Sequence, residues 1–435
     1  MERNSRGLIR WPQSILGPPP GLKELNVFCW GLFVIGFIAP LAIVLLVRWK
    51  TGGRFSDLLP VDFIYFYGIG RLLNEHPAIH LYDYSLQLKT FNDIYPLSAN
   101  HQVWGRSPYP PFVAKFFSVF AHFSFERAFF LWMGLSFALY MAGIAAAVKA
   151  ALPKDRLRGS LVFCFSIASP LFLYFNLAVG QLATIAVFSS GLAIYLERRS
   201  RPMLSGLALS ILAYKPTLLL VIVPMMLVTR RFRALAGFCA GCTLLVAAST
   251  WFAGPQIWPV YARFLQTFAG TAGIHGESAI KRWEYVDFNS LSYAIPGGRT
   301  GLGIAALVCL LIAFGAWLVA LWHKSVRSDA AIQNLMWAIT LTWTLLINVY
   351  VPVYDALLIA VAAALTIGAL AQIGWERTAG WMAVLAIAIS MISFKSESIA
   401  QEHGFQPLTM LLLCFGLGQA IILQSLLNKI LPDHK

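Results

Sequence analysis

Long apolar runs, many of them near 20 residues and separated by short basic segments, follow one another along most of this 435-residue chain. No other feature constrains its fold as strongly. A helix rises about 1.5 Å per residue, so about 20 apolar residues cross the ~30 Å hydrocarbon core of a bilayer. The composition agrees: 58% of residues are hydrophobic and 12% charged, far from the balance of a soluble domain. The predicted class is an all-α polytopic membrane protein.

The formal net charge of +14 invites a nucleic-acid partner, but the positions of the charges exclude that class. They gather in short loops between apolar runs: Lys149, Lys154, Arg156 and Arg158; Arg198, Arg199 and Arg201; Arg230, Arg231 and Arg233; Lys324 and Arg327. Such placement marks the cytoplasmic side of a membrane protein rather than a phosphate-binding stripe. Cys239 and Cys242 have redox spacing, yet they lie inside an apolar run where small residues serve helix packing. Neither a disulfide framework nor a zinc site is indicated. The basic, Pro-rich segment from Met1 to Lys23 does not resemble a cleavable leader.

The basic clusters also identify stretches that must enter the membrane and return. Met203 to Val228 carries arginines at both ends and Lys215-Pro216 in the middle. With both ends cytoplasmic, the segment bends where proline interrupts helical hydrogen bonding. Each half then has about 12 residues, roughly 18 Å of helix, too short to cross. Gly159 to Leu196 follows the same rule around Asn176, Gly180 and Gln181, and Ala331 to Ile373 around Pro352, Tyr354 and Asp355. These polar groups fall on the non-cytoplasmic side together with Asp62.

The resulting layout places residues 1–26 in the cytoplasm and a first span over about Val27–Val47. A long outer loop, about 48–125, carries an amphipathic helix near Asp62–Leu73. It ends in a re-entrant stretch from Tyr109-Pro110-Pro111-Phe112 to about His122. Spans 2 to 7 reach about Trp251, a second outer loop covers about 252–300, and spans 8 to 12 lead to a cytoplasmic C-terminus. Residues 27–300 form the predicted catalytic module and 301–435 a set of C-terminal transmembrane helices.

Asp62 stands out within Val61-Asp62-Phe63-Ile64-Tyr65-Phe66-Tyr67. A carboxylate beside a bilayer is costly unless it is hydrogen-bonded, solvated or used in chemistry. It also follows Pro60 and precedes a helix, so an N-cap role is open. Asp57 competes for the catalytic role but lacks the aromatic setting. Tyr354 and Asp355 suit sugar hydroxyls or a helix cap, while Asn176 and Gln181 suit a sugar or the backbone groups of a helix break. His275, in the Gly-rich segment 270–276, belongs either to a lid or to a solvated loop. His76 and His80 have metal-like spacing, but Pro77 lies between them and no third ligand is evident, so no metal is assigned. Arg48, Lys50 and Arg54, just outside the first span, suit phosphates.

Several short motifs occur in order over residues 60–360: Asp62-Phe63 with Tyr65 and Tyr67, Leu81-Tyr82-Asp83, Tyr109-Pro110-Pro111, Gly180-Gln181, Lys215-Pro216, Asn289-Ser290-Leu291, and Tyr354-Asp355 with Leu357-Leu358. Together they resemble the polyprenol-phosphate-dependent glycosyltransferases of the GT-C superfamily, and most of all glycosyltransferase family 87, the group of lipid-linked α-mannosyltransferases. The resemblance implies a GT-C-type fold, here with about 12 transmembrane helices. It implies transfer of mannose or another hexose or pentose from a polyprenyl-monophosphate donor to a lipid or glycan acceptor. The reaction inverts the anomeric centre, on the periplasmic face of a bacterial plasma membrane.

Carried onto this chain, the general base is Asp62. The departing lipid phosphate needs fixed positive charge, for which Lys215 is the first choice, with Arg48, Lys50 and Arg54 behind it. Tyr65, Tyr67, Tyr109, Asn176, Gln181, His275, Asn289, Tyr354 and Asp355 are the expected sugar and acceptor contacts. No cofactor and no metal is required. Two other classes stay open: a polymerase or ligase using a polyprenyl-diphosphate carrier, to which Lys281-Arg282 would be suited, and a lipid or solute transporter. The second is disfavoured by the lack of an inverted repeat.

Overall fold

Lipid offers no hydrogen bonds to a backbone, so an apolar chain of this kind satisfies its amides within helices. The computed structural model describes residues 21–38, 46, 62–94, 106–270, 282–295, 297–298, 300–326 and 328–430. Among these residues there are 17 α-helices and no strand; one isolated bridge pairs Tyr285 with Pro352.

Six helices are long and apolar enough to cross a membrane: Phe125–Ala151, Phe232–Ala253, Gly301–Lys324, Val353–Gln372, Glu376–His403 and Pro407–Lys429. Arg156–Ile167 and Leu171–Ala178, bent by 48° at the break between them, make a seventh if counted as one span. Four further apolar helices are shorter: Pro111–Phe120, Pro202–Tyr214, Pro216–Val228 and Ala330–Leu346. The charge pattern predicts about twelve spans; the described residues hold six or seven long ones, and the short helices occupy much of the remainder. Ten residues make about 15 Å of helix, so Pro111–Phe120 is half the thickness of a ~30 Å core.

The breaks follow from local chemistry. The helix Pro202–Ser210 tightens into a 3-10 turn at Ile211–Tyr214, becomes extended at Lys215 (φ −135°, ψ 81°) and resumes through Pro216–Leu218. Proline lacks the amide to continue the ladder and disfavours helical backbone at the preceding residue. The amphipathic helix expected near Asp62–Leu73 runs Phe63–Glu75, within two residues of its predicted bounds. It lies on Pro111–Phe120 through an aromatic nest in which Phe63 packs with Phe117, Phe125, Phe129 and Trp132 at 5.6–6.5 Å. Much of the aromatic content around Asp62 is therefore core.

The helices Phe125–Ala151 and Ala183–Arg198 cross at paired glycines. A Cβ on Gly191 would lie 2.2 Å from the Gly143 carbonyl oxygen, so a larger residue there would force the backbones apart. At the basic-loop end, Arg231 binds Glu197 and Gln333 and lies 5.3 Å from the Trp337 ring, while Trp337 Nε1 donates to Glu197 at 3.0 Å. Arg231 thus ties its own loop to the end of Ala183–Arg198 and the start of Ala330–Leu346, beyond its part in the charge pattern.

Candidate active site

Three chain breaks meet in the interior, and side-chain amides hold them together. Asn176 donates from Nδ2 to the carbonyls of Leu171 (2.7 Å) and Tyr354 (3.2 Å), while its Oδ1 accepts from Ala183 N at 3.1 Å. Asn348 donates to the carbonyls of Thr217 and Thr344, both at 3.0 Å, and accepts from Val349 N at 2.8 Å. One asparagine joins the 176–183 turn to Tyr354; the other joins the Lys215 break to the segment entering Tyr354-Asp355. Each such bond is worth about 0.5–1.5 kcal/mol net, and leaving a buried partner unpaired costs more.

Asp62 occupies the cap position of Phe63–Glu75 with helical backbone, but its carboxylate makes no capping bond to that helix. Gln181 Nε2 instead donates to Asp62 Oδ2 at 2.6 Å. The turn that presents Gln181 is clamped. Phe63 N donates to Val179 O at 3.2 Å and Trp132 Nε1 to Gly180 O at 3.0 Å. Gly180 has φ +86°, and a Cβ there would sit 2.8 Å from Phe63 Cβ. Only glycine adopts that backbone cheaply at such close range.

Lys215 and Asp355 form a buried ion pair. The ammonium also lies 5.5 Å from the Tyr350 ring centre and 5.1 Å from that of Tyr354. A buried lysine is costly unless paired, and the carboxylate with two aromatic faces supplies the compensation.

Tyr109 connects the two charged groups. Its backbone is held by the hydroxyls of Tyr82, donating to Tyr109 O at 2.8 Å, and Tyr261, donating to Pro108 O at 3.1 Å. Its ring stacks on Tyr214 at 6.4 Å and meets Phe66 edge-on at 5.1 Å. The phenol is within electrostatic reach of both Asp355 and Asp62 and beside the Tyr354 hydroxyl; burial above all drives its pKa well up. Burial likewise raises Tyr65, with Asp62 and then Glu284 adding to the shift, and pushes Tyr350 up to about 12. The site is walled by phenols that keep their protons at neutral pH.

The other predicted residues divide clearly. Tyr65 stands beside Asp62 with its ring edge-on to Phe91 at 5.3 Å. The Tyr67 hydroxyl is committed to Phe123 O at 2.8 Å. Asn289 donates to Val349 O at 3.2 Å. Arg48, Lys50, Arg54, Asp57 and His275 lie outside the described residues. Among the described residues no group of three or more His, Cys, Asp or Glu is gathered as for a metal.

Asp287 escaped sequence reasoning. It accepts from Ser290 N at 2.8 Å, Ser290 Oγ at 3.1 Å and Val351 N at 2.9 Å, while Val286 N donates to Val351 O at 2.8 Å. The segment around Asp287 is thereby fastened to the stretch leading into Tyr354-Asp355. The signal was the spacing Asp287-x-x-Ser290 ahead of a short helix, a capping pattern; its partner Val351 could not be read from it.

A family model for glycosyltransferase family 87 matches residues 108–348, more than half of the chain. The chain belongs to glycosyltransferase family 87. It is therefore a membrane glycosyltransferase. No curated protein and no solved structure matches it. The family 87 stretch contains Tyr109, Asn176, Gln181, Lys215 and Asn289 but begins after Asp62 and ends before Tyr354-Asp355. Hydrogen bonds and the ion pair bring those outlying residues to it.

Proposed function

We propose that the protein transfers a sugar from a polyprenyl-monophosphate donor to a lipid or glycan acceptor on the non-cytoplasmic face of a bacterial plasma membrane, with inversion and with Asp62 as general base. The observation that carries this reading is that one turn, 176–183, reaches both charged groups: Gln181 donates to Asp62, and Asn176 donates to the carbonyl of Tyr354, whose ring centre lies 5.1 Å from the Lys215 ammonium. A carboxylate and an ammonium thus flank one phenol-lined site. Asp62 takes the proton as the acceptor oxygen attacks the anomeric carbon, an effect worth about 10²–10⁴ in rate. The lipid phosphate departs toward Lys215, where fixed charge counts for more than in water. Because Asp355 already pairs with Lys215, the phosphate must compete with it for the ammonium. Tyr65, Tyr109, Gln181 and Tyr354 then border the sugar. About twelve spans, with both termini cytoplasmic, complete this reading; from sequence, Arg48, Lys50 and Arg54 are assigned to the donor phosphate and His275 to the sugar or acceptor.

A diphosphate-linked carrier is favoured by one feature: Arg282 lies within electrostatic reach of Tyr350, whose ring neighbours Lys215. The test is transfer by purified protein in liposomes. Polyprenyl monophosphate and diphosphate sugars are presented with extracted membrane lipid as acceptor, and Asp62→Asn is run alongside. Turnover of a monophosphate donor that vanishes in the variant supports the reading. Turnover of diphosphate donors alone, or full activity in Asp62→Asn, overturns it.

A further inference from the structure

The buried side-chain amides around the site are used in two different ways. Gln87 donates to Leu81 O at 2.8 Å and accepts from Ser107 N at 3.2 Å, and Asn176 and Asn348 also spend both ends on backbone. Such amides replace missing helical bonds. Gln181 is 5% exposed and equally buried, yet its amide donates to the Asp62 carboxylate, and its Oε1 is buried without a hydrogen-bond partner among the described residues.

The amide orientation follows from chemistry. Turned over, Oε1 would face a carboxylate oxygen at 2.6 Å, a contact between two acceptors. A buried, unpaired amide oxygen is itself unfavourable, so the chain gains nothing in stability by leaving it open. The turn beneath is rigid through Gly180, Trp132 and Phe63, so Gln181 is aimed rather than loosely placed.

We propose that Gln181 is a positioning residue of the transfer reaction: its Nε2, donating to Asp62 Oδ2, fixes the carboxylate that receives the proton, and its open carbonyl accepts a hydroxyl of the arriving sugar. This rests on Asp62 being the base. A hydrogen bond to one oxygen fixes the plane of the carboxylate and favours its charged form. Titratable groups sharing its surroundings among the described residues include Tyr65, Tyr109 and Tyr174, with Glu284 across Tyr65.

The experiment compares Gln181→Leu and the near-isosteric Gln181→Glu with wild type and Asp62→Asn. Full-length protein is assayed in liposomes with the polyprenyl-phosphate sugar panel. In Gln181→Leu, kcat falls about 10- to 100-fold, the scale of a small misplacement at a reacting centre, and donor KM rises with loss of the acceptor for the sugar hydroxyl, whereas Gln181→Glu keeps an acceptor there. The acidic limb of kcat/KM moves to higher pH in both variants, and further in Gln181→Glu, where a second carboxylate can face the first. A purely structural glutamine would lower the amount of folded enzyme without moving that limb. As a readout independent of turnover, a carbodiimide that modifies protonated carboxyls labels Asp62 up to a higher pH in both variants, by mass spectrometry. An inactive Asp62→Asn beside Gln181 variants with unmoved kcat, pH limb and labelling overturns this inference alone. Full activity in Asp62→Asn overturns the base reading and this inference with it.

Discussion

Lys215 and Asp355, 140 residues apart, meet as a buried ion pair between the faces of Tyr350 and Tyr354. Neither charge is tolerable there alone. Removing one partner of such a pair typically costs about 3–5 kcal/mol, whereas replacing both with apolar groups costs far less. Lys215→Met and Asp355→Leu should each lower the unfolding temperature in detergent, and the double variant should recover much of the loss. Additive losses would show that the two charges are separately solvated. On the proposed assignment of Lys215 to the donor phosphate, the double variant should still fail to bind donor.

Gly180→Ala tests the clamp beneath the carboxylate. Its φ of +86° and the 2.8 Å approach to Phe63 Cβ predict a loss of about 1–3 kcal/mol. Transfer should fall further than stability at the same temperature, because Gln181 is displaced from Asp62. Unchanged melting and turnover together would mean that the turn relaxes freely.

Asp287 predicts a pH effect. Burial raises its pKa, against opposing hydrogen bonds from Val351 and Ser290. A carboxyl raised in the folded state binds more protons there than in the unfolded chain. Its stabilising contribution is therefore full below about pH 4, the unfolded value, and is lost as pH rises through the folded value. Asp287→Asn should flatten that part of the stability profile and, by disturbing the bond to Val351 N, lower the melting temperature at every pH. An unchanged slope between wild type and variant would contradict the assignment.

The sidedness of the loops is open to chemical labelling. Single cysteines at Asp93 and Ser200, both exposed, should react with an impermeant maleimide from opposite faces of sealed vesicles. The exposed native cysteines Cys239, Cys309 and Cys414 need replacing first. Labelling of both positions from one face would reject the layout derived from the basic loops.

Sequence alone determined the membrane class, the positions of several helix breaks and the family, because these depend on local properties. Apolar length decides what enters lipid, and proline at 216 removes an amide from the helical ladder and biases Lys215 away from helical backbone. The partners of the polar residues were decided by tertiary structure. Asn176 could bind sugar or backbone, and its two ends proved to be spent on Leu171, Tyr354 and Ala183. Asp62 could cap a helix, and it instead receives Gln181, 119 residues away. Lys215 and Asp355 carried separate roles until the fold joined them. A buried polar group must find a complement, but which complement it finds depends on how helices distant in sequence pack, and single-chain periodicity holds no record of that.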